Sequence, residues 1–383
     1  MSENKKKILF VFHNSGLTGA SLVLLRYVQF LSRSKSYDLY LLLPGKGKIE
    51  LPLSALGKVQ FYNAPAEVDS IFIRGFRKLG VELKKRKTNA ERIEDSIVSI
   101  RPDLVYFNTI ACAPYIAAII NKVRLPIAWH IHELKLGVQL TGVHPKEILN
   151  QVQWVIANSE TTANFIAKEY GVSKDMITIH HPVLPAVAEH TKFKHPGKFI
   201  VGSSGTALVH KGALLFIDLA SAVNRLEPEN DFEFRWIGNA KFLREEIDRK
   251  IVEGKLQGKV IFTGELDAPM KEYSQFDFFV SLSHEESFGL ACMEVASLEI
   301  PIGGFAGSGG IEELLCQCDG LIVPYLDVEA MAKSLVELRH DPLKRHEMAR
   351  KAKVLSNRFS EEIAIPEWIE VLESRLNRKY ARQ

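Results

Sequence analysis

The stretch 281-SLSHEESFGLACMEVASLEIP-301 decides the reading of this chain, because it joins a strand end, a helix start and two spaced carboxylates in one local unit. The apolar run Phe278 to Leu282, between Asp277 and Ser283, has the length and composition of a buried parallel strand. Ser287 suits an N-cap, and Phe288-Gly289-Leu290 opens a helix with apolar Leu290, Met293, Ala296 and Leu298. Unpaired amides at such a helix start, with the helix dipole, suit a phosphate beyond the strand's carboxyl end, and Gly289 lets an anion approach. Glu286 precedes the helix and Glu294 lies inside it, and helical side chains lean toward the amino terminus, so both can reach one crevice. Carboxylates beside a phosphate site accept hydrogen bonds from sugar hydroxyls, and the combination suggests a sugar nucleotide. Taken singly, Glu286 as a cap of a neighbouring helix and Glu294 as an exposed surface carboxylate are the commoner arrangements.

Seven residues separate Glu286 from Glu294. E-S-F-G-L followed by M-E-V-A resembles the E-x7-E signature of family 4 glycosyltransferases, and the likeness extends through 259-KVIFTG-264 and 301-PIGGFAGSGGIEEL-314. The resemblance implies the α/β GT-B fold, two Rossmann-like doubly wound parallel-sheet domains facing a cleft. It also implies a nucleoside-diphosphate sugar as co-substrate, with no further cofactor and no metal. Within it Glu294 would bind the ribose, Glu286 would hold the donor sugar, and the backbone near Gly264-Glu265-Leu266 would meet the nucleobase.

A chain of 383 residues exceeds one ordinary core, and two domains of about 190 residues each are the natural division. Hydrophobic residues at 46% and charged residues at 25% are ordinary for a water-exposed globular chain. Four cysteines with no C-x-x-C pair make neither a disulfide scaffold nor a zinc site, and Cys316 and Cys318 read as reduced thiols. The apolar run Ile8 to Phe12 is too short for a signal peptide, and no run reaches the ~18 residues of a membrane span, so a cytoplasmic location is expected. A net charge of +3 without a recognition motif argues against nucleic acid.

From the amino terminus, strand Lys7 to Phe12, loop 13-HNSGLTGAS-21 and a helix with Leu24, Tyr27, Val28 and Leu31 in register open a doubly wound domain. The loop has Gly16-x-x-Gly19 and no G-x-G-x-x-G, and strand 38-DLYLLLP-44 ends without a ribose-binding acid, which argues against a nicotinamide dehydrogenase. By resemblance this loop lies across the cleft near the donor phosphates and acceptor; a turn needing glycine only for its backbone accounts for it equally well. Between Arg74 and Lys87 stand seven cations against Glu82, with Phe72, Phe76, Leu79 and Leu83 interspersed. That pattern fits either an amphipathic helix on anionic lipid, at the inner face of the membrane, or a solvated face.

Strands 102-PDLVYFNT-109 and 126-PIAWHIHEL-134, joined through a helix from Ala111 to Asn121, form a parallel pair whose carboxyl ends bring His130, His132 and Glu133 to the cleft edge. His132-Glu133 resembles the family's pair in which the histidine faces the transferred sugar; His130 reads as structural. The stretch 133 to 146 has no clear period and reads as a mobile loop over the acceptor site. Strands 153-QWVIANSE-160 and 176-MITIHHP-182 complete a first domain, residues 1–183, before a linker of mixed charge and proline, 184–197.

The second domain, 198–360, restarts with strand 198-KFIVGSS-204, loop 205-GTALVH-210 and a helix from Lys211-Gly212. This is no Walker loop. The family's G-R-x-x-x-x-K-G binds the donor pyrophosphate here; this chain keeps Lys211 and Gly212 but has Thr206 at the arginine position, and Glu313 matches a G-G-x-x-E glutamate. The final segment, 361–383, would cross back onto the first domain as a helix. The whole reads as a retaining glycosyltransferase acting on a glycan or lipid-linked acceptor in cell-surface polysaccharide or glycoconjugate synthesis. The alternatives are a catalytically weak nucleotide-sugar-binding subunit and, on the same fold, a nucleotide-sugar epimerase.

Overall fold

The computed structural model describes residues 5–63, 87–185, 197–229 and 231–378. The basic segment, apart from Lys87, and most of the linker lie outside the described residues.

The first sheet contains β1 (Lys6–Val11), β2 (Tyr37–Leu43), β3 (Lys58–Phe61), β4 (Leu104–Asn108), β5 (Ile127–Ile131), β6 (Trp154–Ala157) and β7 (Ile177–Ile179), in the order β3-β2-β1-β4-β5-β6-β7. The second contains β8 (Phe199–Ser204), β9 (Phe232–Ile237), β10 (Val260–Gly264), β11 (Phe278–Ser281), β12 (Ile302–Phe305) and β13 (Leu321–Val323), in the order β10-β9-β8-β11-β12-β13. Every pairing between these strands is parallel. The order reverses beside β1 in one sheet and beside β8 in the other, and such a switch point opens a crevice at the strands' carboxyl ends.

Among the described residues, the helices of the first domain are α1 (Gly19–Ser32), α2 (Glu50–Ser54), α3 (Asn89–Ile100), α4 (Ala113–Ile119), α5 (Lys135–Thr141), α6 (Lys146–Leu149) and α7 (Glu160–Tyr170). Those that follow are α8 (Ala213–Leu226), α9 (Arg244–Glu253), α10 (Pro269–Tyr273), α11 (Leu290–Ser297), α12 (Gly310–Gln317), α13 (Val328–His340), α14 (Pro342–Asn357) and α15 (Glu361–Arg378). Because strand side chains alternate, each sheet feeds two cores. Ile8 and Phe10 pack with α1 on one face while Leu9 and Val11 pack with α3 and α4 on the other. In the second sheet Phe278 and Val280 face α8 and α13, and Phe279 faces α11 and α14.

The residues 133 to 146, expected as a mobile loop, instead form α5 and begin α6. The sequence has no local N-cap there, and a carboxylate from the other domain stabilises the start of α5, as described below.

The chain passes between the domains twice, and the crossings are joined where the Leu184 amide donates to the Phe359 carbonyl at 2.8 Å. After the second crossing α15 lays Ile365, Trp368, Leu372 and Leu376 into the core around α1 and β1. Trp368 stacks on Tyr27 at 4.6 Å between ring centroids and lies against His180, and Glu373 takes hydrogen bonds from Lys6 and Tyr37. Replacing Trp368 by alanine is expected to cost about 3–5 kcal/mol of stability, read as a lower urea midpoint, since it removes the largest apolar group joining α15 to α1. An unchanged midpoint would show that α15 contributes little to the fold.

Candidate functional site

The carboxyl ends of β8, β11 and β12 each lead into a loop, and backbone hydrogen bonds tie the three loops together. The His284 amide donates to the His210 carbonyl at 2.9 Å, the Glu286 amide to Ser308 at 2.7 Å, and the Gly310 amide to Glu286 at 2.7 Å. Lys211 ends a 3-10 turn and precedes Gly212, whose positive φ of 79° and close approach to the Leu282 carbonyl leave no space for a side chain. Lys211 Nζ donates to Glu286 Oε2 at 2.8 Å, and the Gly289 amide also reaches the Glu286 carboxylate. Burial pushes the Glu286 carboxyl up, but the Lys211 charge and the hydrogen bonds from Lys211, Gly289 and Ser283 outweigh it and leave it below the usual carboxylate range.

One local expectation is corrected here. Ser287 does not cap α11; its hydroxyl accepts from Asn158 Nδ2 at 3.0 Å and its carbonyl from Ser159 Oγ at 2.6 Å, both from the first domain. The N-cap is Gly289, at φ 87°, with the Ile311 side chain 2.9 Å from where a Cβ would sit. Glycine is therefore demanded by backbone conformation and packing, whatever an anion requires. The Phe288 side chain is buried against His181 and Phe359 at the crossings, and Leu290 packs partly into the first domain's core, so these residues offer a ligand their backbone.

Glu294 lies in the second turn of α11 and is buried, not an exposed helix carboxylate. Its Oε1 accepts from Arg26 Nη2 of α1 at 2.7 Å. Tyr273, whose hydroxyl shares a hydrogen bond with Ser204 at the end of β8, is held above the usual phenol range by burial and by the Glu294 charge. Thr206 is exposed in the same loop as Lys211.

The first domain faces this unit across the cleft. Its first loop begins α1 at Gly19, where an added Cβ would have nothing within 4 Å, and the Gly16 amide closes a turn onto Asn14 Oδ1 at 2.9 Å. Asn108 donates from Nδ2 to the Ala20 carbonyl at 3.0 Å, which turns its Oδ1 to His132 Nε2 at 2.8 Å. That pairing assigns the proton to Nε2 and leaves Nδ1 as the acceptor. Burial, then His130 with ring centroids 3.9 Å away, then His13, hold His132 well below the usual imidazole range, so it is neutral at pH 7. His132 makes no hydrogen bond to Lys211, Glu286 or Glu294, which face it from the other domain.

Glu133 points away from that gap, accepting the Ile110 and His132 amides at 3.0 Å each. Beside it Thr109 has φ 77° and ψ 160°, unusual for a residue with a side chain, and its carbonyl accepts from Trp129 Nε1 at 2.8 Å.

Contacts across the cleft draw the domains together. Glu285 accepts the Leu136 amide with both oxygens, at 2.9 and 2.8 Å, and so caps α5 from the other domain. Glu313 accepts from the Thr161 amide and hydroxyl at 3.1 Å, and Lys48 pairs with Glu265 at 3.0 Å. The sequence reading missed Arg26 and Glu285. A signal for the first was available: an arginine inside the apolar run 22-LVLLRYV-28 needs a buried partner.

Residues 188–355 match the family model described as Glycosyl transferases group 1. That stretch contains Thr206, Lys211, Glu286 and Glu294. The poly(glycerol-phosphate) alpha-glucosyltransferase of Bacillus subtilis (strain 168) is 24% identical over 140 residues, 36% of this chain and 21% of that protein. The lipopolysaccharide core biosynthesis mannosyltransferase LpcC of Rhizobium leguminosarum bv. viciae is 23% identical over 208 residues, 52% of this chain and 58% of that protein. The chain thus spans from about a fifth to under two thirds of the length of these curated relatives. The crystal structure of Anabaena Alr3699/HepE in complex with UDP and glucose superposes with a TM-score of 0.78 at 17% identity, over 96% of this chain and 99% of that one. The fold is GT-B, two Rossmann-like domains facing a cleft.

Burial lifts the Glu133 carboxyl to about 7 despite three backbone donors. The folded state then holds a proton that the unfolded chain releases above about pH 4.5, so this group's contribution is full below that pH and is lost as pH rises through about 7. Glu133→Gln should remove that loss: the stability difference between variant and parent, from urea titrations at pH 5 and pH 8, is expected to shift toward the variant at pH 8. A pH-independent difference would contradict the shifted carboxyl.

Proposed function

We propose that this protein is a retaining glycosyltransferase that moves a sugar from a nucleoside diphosphate to a hydroxyl group of a glycan or lipid-linked acceptor. The observation that carries the reading is the hydrogen-bonded unit of Lys211, Glu286 and the opening of α11, with Glu294 one turn further along the same helix. A diphosphate placed over this unit meets the Lys211 charge and the amides at the head of α11, which stabilise the leaving group as the glycosidic bond breaks. Lys211 would then be shared between the phosphate and Glu286, leaving the Glu286 carboxylate to accept from hydroxyls of the donor sugar. Glu294 accepts from the ribose. His132, neutral and fixed by Asn108, orients the sugar through Nδ1 from the opposite domain, while the Gly16 to Gly19 loop leaves room for phosphate or acceptor. Lys211 and the helix opening supply the countercharge that a metal would otherwise provide.

The bound UDP in the HepE structure supports a uridine nucleotide, and the two curated relatives support a hexosyl donor and a role in cell-surface polymer synthesis. No helix among the described residues is long and apolar enough to cross a membrane, so a lipid-linked acceptor would be met at the membrane surface, the cytoplasmic face being the reading the sequence favours. Thr206, exposed at the expected arginine position, keeps a second reading in view, a subunit that binds the donor with little turnover.

Calorimetric titration of UDP, GDP, ADP and TDP tests the site. One nucleotide should bind, and Lys211→Ala and Glu294→Gln should each weaken it by about ten- to a hundredfold, the worth of a charge-assisted hydrogen bond of about 1.5–3 kcal/mol. Normal binding by both variants would remove the donor-site reading. Tight binding with no hydrolysis or transfer of the matching sugar nucleotide would favour the binding subunit, and epimer released without acceptor would favour an epimerase.

A further inference from the structure

Arg26 lies on α1 between the buried Leu25 and Tyr27, and its side chain is only 15% exposed. Its two terminal nitrogens have different partners in different parts of the molecule. Nη1 donates to the Val183 carbonyl at 2.7 Å, and Nη2 donates to Glu294 Oε1 at 2.7 Å. Val183 is on the first crossing between the domains, next to the Leu184–Phe359 hydrogen bond that joins the two crossings. Tyr27, the next residue of α1, donates from its hydroxyl to the His181 carbonyl at 3.1 Å on the same segment. Two consecutive residues of α1 thus hold the first crossing, and the arginine extends that hold to a carboxylate of the second domain.

Stability alone accounts poorly for this pair, because the desolvation of a buried arginine and glutamate largely offsets their attraction, and two apolar side chains would serve as well. A planar guanidinium that fixes two acceptors at once has geometric value instead. Only Oε1 of Glu294 is engaged; Oε2 takes no hydrogen bond from a described residue. A carboxylate anchored through one oxygen offers the other in a set direction, and a hydroxyl binding there does not have to immobilise the side chain first.

We propose that Arg26 is a positioning residue for the nucleotide: it holds Glu294 through Oε1 against the interdomain crossing, so that Oε2 is presented to the ribose hydroxyls. The proposal rests on the reading of Glu294 as the ribose ligand. It makes the first domain part of nucleotide recognition although the family match begins only at residue 188. It also puts two parts of the site on one helix, since the helix that starts at the Gly16 to Gly19 loop carries, two turns later, the residue that sets the ribose contact.

The test compares the ribonucleoside diphosphate selected by the titration above with its 2′,3′-dideoxy counterpart, on the parent chain and on Arg26→Gln, Arg26→Lys and Glu294→Gln, each first checked by thermal melting for a cooperative fold. The parent should prefer the ribonucleotide. Arg26→Gln should weaken the ribonucleotide by about tenfold or more while the dideoxy ligand changes by less than about threefold, so that the preference collapses. Arg26→Lys, which keeps the charge but not the fork, should fall between. If Arg26→Gln weakens both ligands equally, or leaves the preference intact, Arg26 is structural and the proposal fails while the ribose reading stands. If Glu294→Gln itself keeps the parent's preference, the ribose reading fails and takes the proposal with it.

Discussion

Hydrogen bonding in a parallel sheet forces each strand to begin at the same edge, so every loop that leaves a strand's carboxyl end opens on one side of the domain. Two such sheets placed edge toward edge make a cleft whose walls are entirely loops and helix starts. Several of the polar groups discussed above are positioned by that constraint: His132 and Glu133 follow β5, Lys211 follows β8, Glu286 and α11 follow β11, and Glu313 follows β12. The cores on both faces of each sheet hold the strands in place, and the loops are tied to one another by backbone hydrogen bonds, so the cleft has a defined shape before anything enters it.

What pattern and spacing make visible is what is local. The strands, the alternation with helices and the two-domain division could be read because buried parallel strands are short apolar runs and their connections have regular lengths. The grouping of Lys211, Glu286 and Glu294 at one edge follows from the same topology. Contacts between the domains were not visible. Arg26 and Glu294 are 268 residues apart, and Leu136 and Glu285 are 149 apart, so no window of sequence contains either pair. Both local errors have this origin. Ser287 satisfies the rule for an N-cap but spends its hydroxyl and carbonyl on Asn158 and Ser159, and the apparent lack of period in 133 to 146 conceals a helix whose cap arrives from elsewhere.

The site places carboxylates where phosphate is expected, and the structure shows how that conflict is eased. Glu286 is matched by Lys211 and by the Gly289 amide, and Glu294 by Arg26. Glu285 faces the head of α5 and Glu313 the head of α7, each near the positive end of a helix dipole. These negative side chains are thus each answered by a specific donor.

Several of the bonds that close the cleft use main-chain atoms on one side: the Leu136 and Thr161 amides of the first domain and the Ser287 carbonyl of the second. A backbone donor is present whatever residue carries it, proline excepted. The exposed positions of α5, Lys135, Gln139, Leu140 and Thr141, are therefore free to exchange side chains while the second domain keeps its grip on the helix backbone, whereas Val138 in the core and Gly137 against Glu133 are not. Variation of that surface and constancy of the contact between the domains are separable in this architecture.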